Sequence, residues 1–89
     1  MTNAIQVYGT DWCGLTFSVR KYLTDARIPY DYYDIERDQR ADAFVLAMHD
    51  GRRRFPVIVV EERILTSPTL SELQKVLDEQ RVRPSTARR

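Results

Sequence analysis

The sequence predicts an α/β fold, a four-stranded mixed sheet with three helices spread over both faces, in the order β-α-β-α-β-β-α. Three observations carry this. Short runs rich in β-branched and aromatic residues alternate with segments whose apolar residues recur every three or four positions. A helix-length segment separates the first two runs, as a right-handed parallel crossover requires. Only Glu61-Glu62-Arg63 separates the last two, which suits a hairpin. At 89 residues the chain is one domain, and a hydrophobic share of 43% is enough for a core.

Ile5, Val7 and Tyr8 form the first strand, which stops at Gly9-Thr10-Asp11. After Cys13-Gly14, residues Leu15, Val19, Tyr22, Leu23 and Ala26 share one face of a first helix, which Pro29 ends. Residues 30–35 are aromatic and polar-interleaved, a second strand. Asp38 opens a second helix with Ala41, Phe44, Val45 and Met48 on one face, and Gly51 stops it. Residues 55–60 are a buried third strand reached through Pro56, and residues 64–66 a short fourth. Thr69 with Glu72 three residues on is a capping box behind Pro68, and Leu70, Leu73, Val76 and Leu77 give that third helix its apolar face. The domain is expected over residues 1–81, with 82–89 a polar, aperiodic and disordered tail. This element order is the thioredoxin-like architecture.

Composition excludes several classes. One cysteine rules out an internal disulfide framework and argues against a cysteine-ligated metal site within one chain, so no metal is expected. It also points to a reducing compartment, the cytoplasm. No apolar run approaches ~18 residues, so no membrane partner is expected, and the first residues do not read as a signal peptide. A net charge of +1 gives no reason to expect nucleic acid.

Three stretches carry chemistry. A cysteine at a helix start faces unpaired N–H groups and the positive end of the helix dipole, and both favour the nucleophilic thiolate. Cys13 holds that position beside Trp12 and Gly14, with the Leu15 and Thr16 N–H groups and the Thr16 hydroxyl as donors; Asp11 works against it. The bland alternative is an inert buried thiol. Second, in Phe55-Pro56-Val57 a cis bond before Pro56 exposes the neighbouring backbone to a peptide-like ligand, although an ordinary trans strand-edge proline is the local default. Third, Thr66-Ser67-Pro68-Thr69 offers hydroxyls at a helix start to a carboxylate, with plain capping as the alternative. Arg52, Arg53 and Arg54 can grip a second anion or simply be solvated. His49 reads as a surface residue at a helix end.

With these stretches placed, the chain resembles the glutaredoxins. Val7-Tyr8-Gly9-Thr10-Asp11-Trp12-Cys13-Gly14 is similar to that family's active-site approach, nearest the mycoredoxin branch. Gly51-Arg52-Arg53-Arg54-Phe55-Pro56-Val57 resembles the segment leading to its cis-proline, and Leu65-Thr66-Ser67-Pro68-Thr69 the start of its last helix. The similarity covers about residues 4–80. It implies that Cys13 is the catalytic nucleophile with Trp12, Gly14 and Thr16 beside it. Phe55, Pro56 and Val57 bind the backbone of a small thiol, Arg53 meets its carboxylate, and Ser67 and Thr69 lie at the rim.

Thr16 stands where dithiol members carry a second cysteine, which leaves monothiol exchange: reduction of mixed disulfides between proteins and a low-molecular-weight thiol. Mycothiol or glutathione is the implied co-substrate, with no bound cofactor, and the implied partners are S-thiolated proteins and a thiol–disulfide reductase system, with the chain a monomer. The basic residue that many glutathione-using members have near Thr10 is missing, as is their Gly-Gly pair before the last helix, which favours mycothiol. Two other readings stand beside this one. Cys13-Gly14-Leu15-Thr16 also resembles the Cys-Gly-Phe-Ser signature of [2Fe–2S] cluster carriers, and a thioredoxin-like scaffold can serve as a non-catalytic binding module.

Overall fold

The computed structural model describes residues 3–80 and 82. The chain forms β1 (Ile5–Gly9), α1 (Gly14–Asp25), β2 (Asp31–Asp34), α2 (Gln39–Met48), β3 (Val57–Val60), β4 (Arg63–Thr66) and α3 (Leu70–Glu79). The sheet runs β2-β1-β3-β4, with β1 parallel to β2 and antiparallel to β3, and β3 antiparallel to β4. This is the predicted mixed sheet.

The side-chain alternation of β1 divides the core. Ile5 and Val7 point to one face, where Ile58 and Val60 join Val19 and Leu23 of α1 and Leu73, Val76 and Leu77 of α3. Tyr8 points to the other, where its ring stacks between Tyr33 and Phe44, with centroids at 5.1 and 4.6 Å. There α2 covers the sheet through Ala41 and Val45 against Ile35 and Val57. The α2 start is capped by Asp38, whose carboxylate accepts from the Arg40 and Ala41 N–H groups.

Element ends differ from expectation for local reasons. The third strand begins at Val57, since Pro56 has no N–H for the ladder and its carbonyl is bonded by the Ser67 N–H at 2.8 Å. The second strand ends at Asp34, whose side chain accepts from the Glu36 N–H and turns the chain. Met48 and Leu70, expected on buried faces, are terminal residues of their helices and stay exposed. The expected tail lies outside the described residues except for Val82, which packs on the α1–α3 face and donates its N–H to Leu77. No helix among the described residues is long and apolar enough to cross a membrane.

Candidate active site

Tyr8, Val57 and Thr66 lie in register across one end of the sheet. Just beyond, β1 stops at Gly9 and a turn returns the Cys13 N–H to the Thr10 carbonyl at 3.4 Å. Cys13 is the N-cap of α1, half-buried, with extended backbone (φ −80°, ψ 123°). Its carbonyl accepts the Phe17 N–H at 3.0 Å. An N-cap side chain accepts from the second and third helical N–H groups, and no neutral side chain does so here. A Cys13 thiolate fills that role. Burial pushes the thiol pKa up, but the Thr16 hydroxyl and the Thr16 and Leu15 N–H groups together bring it below the ordinary value. The Thr16 side chain is fully buried, and Oγ1 has no oxygen or nitrogen partner among the described residues, so the sulfur is the group it can serve. Gly9 makes room for it: a Cβ there would stand 2.5 Å from Thr16 Oγ1 and 2.7 Å from Cγ2.

Asp11 does not oppose the thiolate as expected. Tyr32 Oη donates to it at 2.8 Å, and the Arg20 and Arg37 guanidinium groups lie at 3.7 and 3.9 Å. Arg20 in turn stacks 3.7 Å over the Tyr32 ring. Burial, then the bond to Asp11, pushes the Tyr32 phenol up. Gly14 begins α1 in open space, so no close approach requires it.

Beside the thiol, Trp12 is 68% exposed, donates Nε1–H to Glu36 at 3.0 Å, and meets the Phe55 ring edge-on at 5.6 Å. It forms one wall of a groove of about 590 Å³ with Thr10, Ile35, Glu36, Arg37, Gln39, Asp42, Arg53 and Phe55. Thr10 Oγ1 is buried there without a partner among the described residues. Arg53, expected to meet a ligand carboxylate, already grips Asp42 through two bonds of 2.9 and 2.8 Å. The pair holds the Asp42 carboxyl below its usual value and raises Arg53. Glu36, Arg37, Gln39 and Asp42 were not anticipated. They follow β2 or begin α2, and only the crossing of α2 over the sheet brings them to Arg53.

The Phe55–Pro56 peptide bond is cis, and Pro56 and Val57 are buried. Ser67, expected at the rim, is exposed and braces this segment. It lies at φ 47° and donates its N–H to the Pro56 carbonyl and Oγ to the Phe55 carbonyl, at 2.8 and 3.0 Å. The hydroxyl of Thr69 caps α3 by accepting from the Glu72 N–H at 3.0 Å, while Glu72 accepts from the Thr69 N–H at 2.8 Å. That is the capping alternative. His49 ties the end of α2 to β4, with Nδ1–H donating to the Val45 carbonyl and Nε2 bonded to Thr66 Oγ1, each at 2.9 Å.

The chain is similar to known proteins. The Glutaredoxin family profile matches residues 5–65. A Mycobacterium tuberculosis protein named as a glutaredoxin is 35% identical over 78 residues, 86% of this chain and 93% of its own. Mycoredoxin 1 of Corynebacterium glutamicum is 33% identical over 54 residues, 61% of this chain and 66% of its own. The crystal structure of a buckwheat glutaredoxin–glutathione complex superposes with a TM-score of 0.66 at 20% identity, over 88% of this chain and 72% of the other. A family match that begins in β1 and ends in β4 takes in the cysteine-bearing helix start and the cis-proline alike, and the chain, whose one cysteine is Cys13, belongs to the glutaredoxin family of redox proteins.

Proposed function

We propose that the chain is a monothiol oxidoreductase that reduces mixed disulfides between proteins and a low-molecular-weight thiol, with mycothiol preferred to glutathione. The observation that carries this is Cys13 at the α1 N-cap, its thiol pKa lowered, with a buried threonine where a second cysteine would close a disulfide. The Cys13 thiolate attacks the small-thiol sulfur of the mixed disulfide, and the S–S bond breaks. The protein leaves as a thiolate that takes a proton from water. A second small thiol, as thiolate, attacks the Cys13 adduct, which frees Cys13 and forms the small-thiol disulfide. A thiol–disulfide reductase system then reduces that disulfide. The chain acts as a monomer in a reducing cytoplasm.

The groove supports the choice of thiol. Arg53 is committed to Asp42, and Arg37 lies 3.6 Å from Asp34 and 3.9 Å from Asp11, so a carboxylate-bearing thiol competes with existing pairs. An exposed indole, Gln39 and the Glu36 carboxylate suit the hydroxyls of a sugar-bearing, uncharged thiol such as mycothiol. Phe55, Pro56 and Val57 flank the ligand backbone. Arg53, Ser67 and Thr69 shape the site through Asp42, the Phe55–Pro56 carbonyls and the α3 cap. The relative named mycoredoxin 1 agrees with this direction. Turnover of one cysteine peptide, S-mycothiolated or S-glutathionylated and regenerated with the matching thiol, tests it. The expected result is a higher kcat/KM with mycothiol and no turnover by Cys13→Ser. Equal rates, or a preference for glutathione, would overturn the assignment of the thiol.

A further inference from the structure

Arg52, Arg53 and Arg54 are consecutive in sequence and part company in the structure. Arg53 turns into the groove onto Asp42. Arg52 and Arg54 line a separate recess of about 390 Å³ with His49 and Asp50, past the end of α2. Both are exposed, and neither belongs to an ion pair among the described residues. The other arginines around Cys13 are each paired, Arg20 with Asp11, Arg37 with Asp34 and Asp11, and Arg53 with Asp42. Two guanidinium groups against the single carboxylate of Asp50 therefore leave the recess with net positive charge.

Its position gives that charge a meaning. His49 bonds Thr66, which is in register with Val57 and Tyr8 at the active end of the sheet. Arg54 precedes Phe55, whose ring meets Trp12 beside Cys13. The groove follows β2 and the start of α2, whereas the recess is tied through His49 and Thr66 to β4, the opposite edge strand of the sheet. A mixed disulfide has two halves. With the small thiol in the groove, the protein half runs toward the other edge. We propose that the Arg52–Arg54 recess docks an acidic segment of the protein that carries the mixed disulfide. This deepens the exchange reaction proposed above and rests on it. Exposed charges of this kind add little to affinity but steer encounter and select among partners.

Two peptides of equal length, each with one S-mycothiolated cysteine, flanked by glutamates in one and lysines in the other, test the proposal. The intact protein should reduce the glutamate peptide about tenfold faster at low salt, and added salt should shrink that advantage. Arg52→Glu/Arg54→Glu should reverse the preference, and Arg52→Gln/Arg54→Gln should abolish it. Both variants should react with mycothiol disulfide at the unaltered rate. Equal rates on the two peptides would overturn the docking proposal alone, as would variants that slow both peptides and mycothiol disulfide alike. Binding of a labelled oligonucleotide that the glutamate variant loses, without any peptide preference, would overturn it in favour of nucleic acid. Reduction of neither peptide by folded protein would overturn the exchange reaction itself, and the docking with it.

Discussion

Cys13 occupies a position that usually calls for serine, threonine or aspartate, an N-cap whose side chain must accept hydrogen bonds. The thiolate satisfies that requirement and the neutral thiol does so poorly, so the helix start and the ionisation of sulfur stabilise each other. The sign follows directly. An acid whose folded pKa is lowered keeps its anion to lower pH than a free cysteine does, and the benefit is lost as pH falls through the lowered pKa. Alkylation of Cys13 should therefore stay fast below the titration of a free thiol. Thr16→Val keeps the shape of the side chain and removes the hydroxyl. It should raise the Cys13 pKa and slow alkylation at neutral pH by up to about tenfold, while Thr16→Ser should keep most of the rate. A pH–rate profile of alkylation checks both, and an unchanged profile in Thr16→Val would remove the hydroxyl from the account.

At the scale of elements, the join between β1 and α1 sets where the sulfur sits. Gly9 and Thr16 meet so closely that a methyl group on Gly9 has no room. Gly9→Ala should destabilise the fold by about 1–3 kcal/mol, the usual range for overpacking, and Thr16→Ala should recover part of that loss in the double variant. Denaturation midpoints of the parent, the two single variants and the double variant test the coupling. Most elements could be read from the chain because each carried its own local signal: period two in β1, the Asp38 cap on α2, the Thr69–Glu72 box on α3. Their ends were less legible. Where β2 stops and β3 begins depends on the Asp34 side chain and on Ser67, twelve residues from Phe55, neither of which the local pattern weighs.

Across the whole molecule, a small domain packs a thin layer of side chains on each face of one sheet, so single core positions matter. Leu73, fully buried between α3 and the sheet, is such a position. Leu73→Ala should cost about 2–5 kcal/mol of a total that is typically about 5–15 kcal/mol. The urea midpoint should fall while Cys13 in the folded fraction alkylates as before. The candidate site was legible where residues adjacent in sequence define it, as at Trp12-Cys13-Gly14 and Phe55-Pro56-Val57. It was not legible where tertiary pairing decides a side chain's job. Nothing local to Arg53 announces Asp42, and nothing local to Asp11 announces Tyr32, Arg20 and Arg37. The central claim is that one sulfur, Cys13, carries the exchange chemistry. Intact mass of the reduced protein, after mixing separately with mycothiol disulfide and glutathione disulfide at neutral pH, addresses it most directly. A single small-thiol adduct should form, faster from mycothiol disulfide, and be absent in Cys13→Ser. Folded protein that acquires no adduct from either disulfide, and whose Cys13 alkylates no faster than a free cysteine, would contradict it.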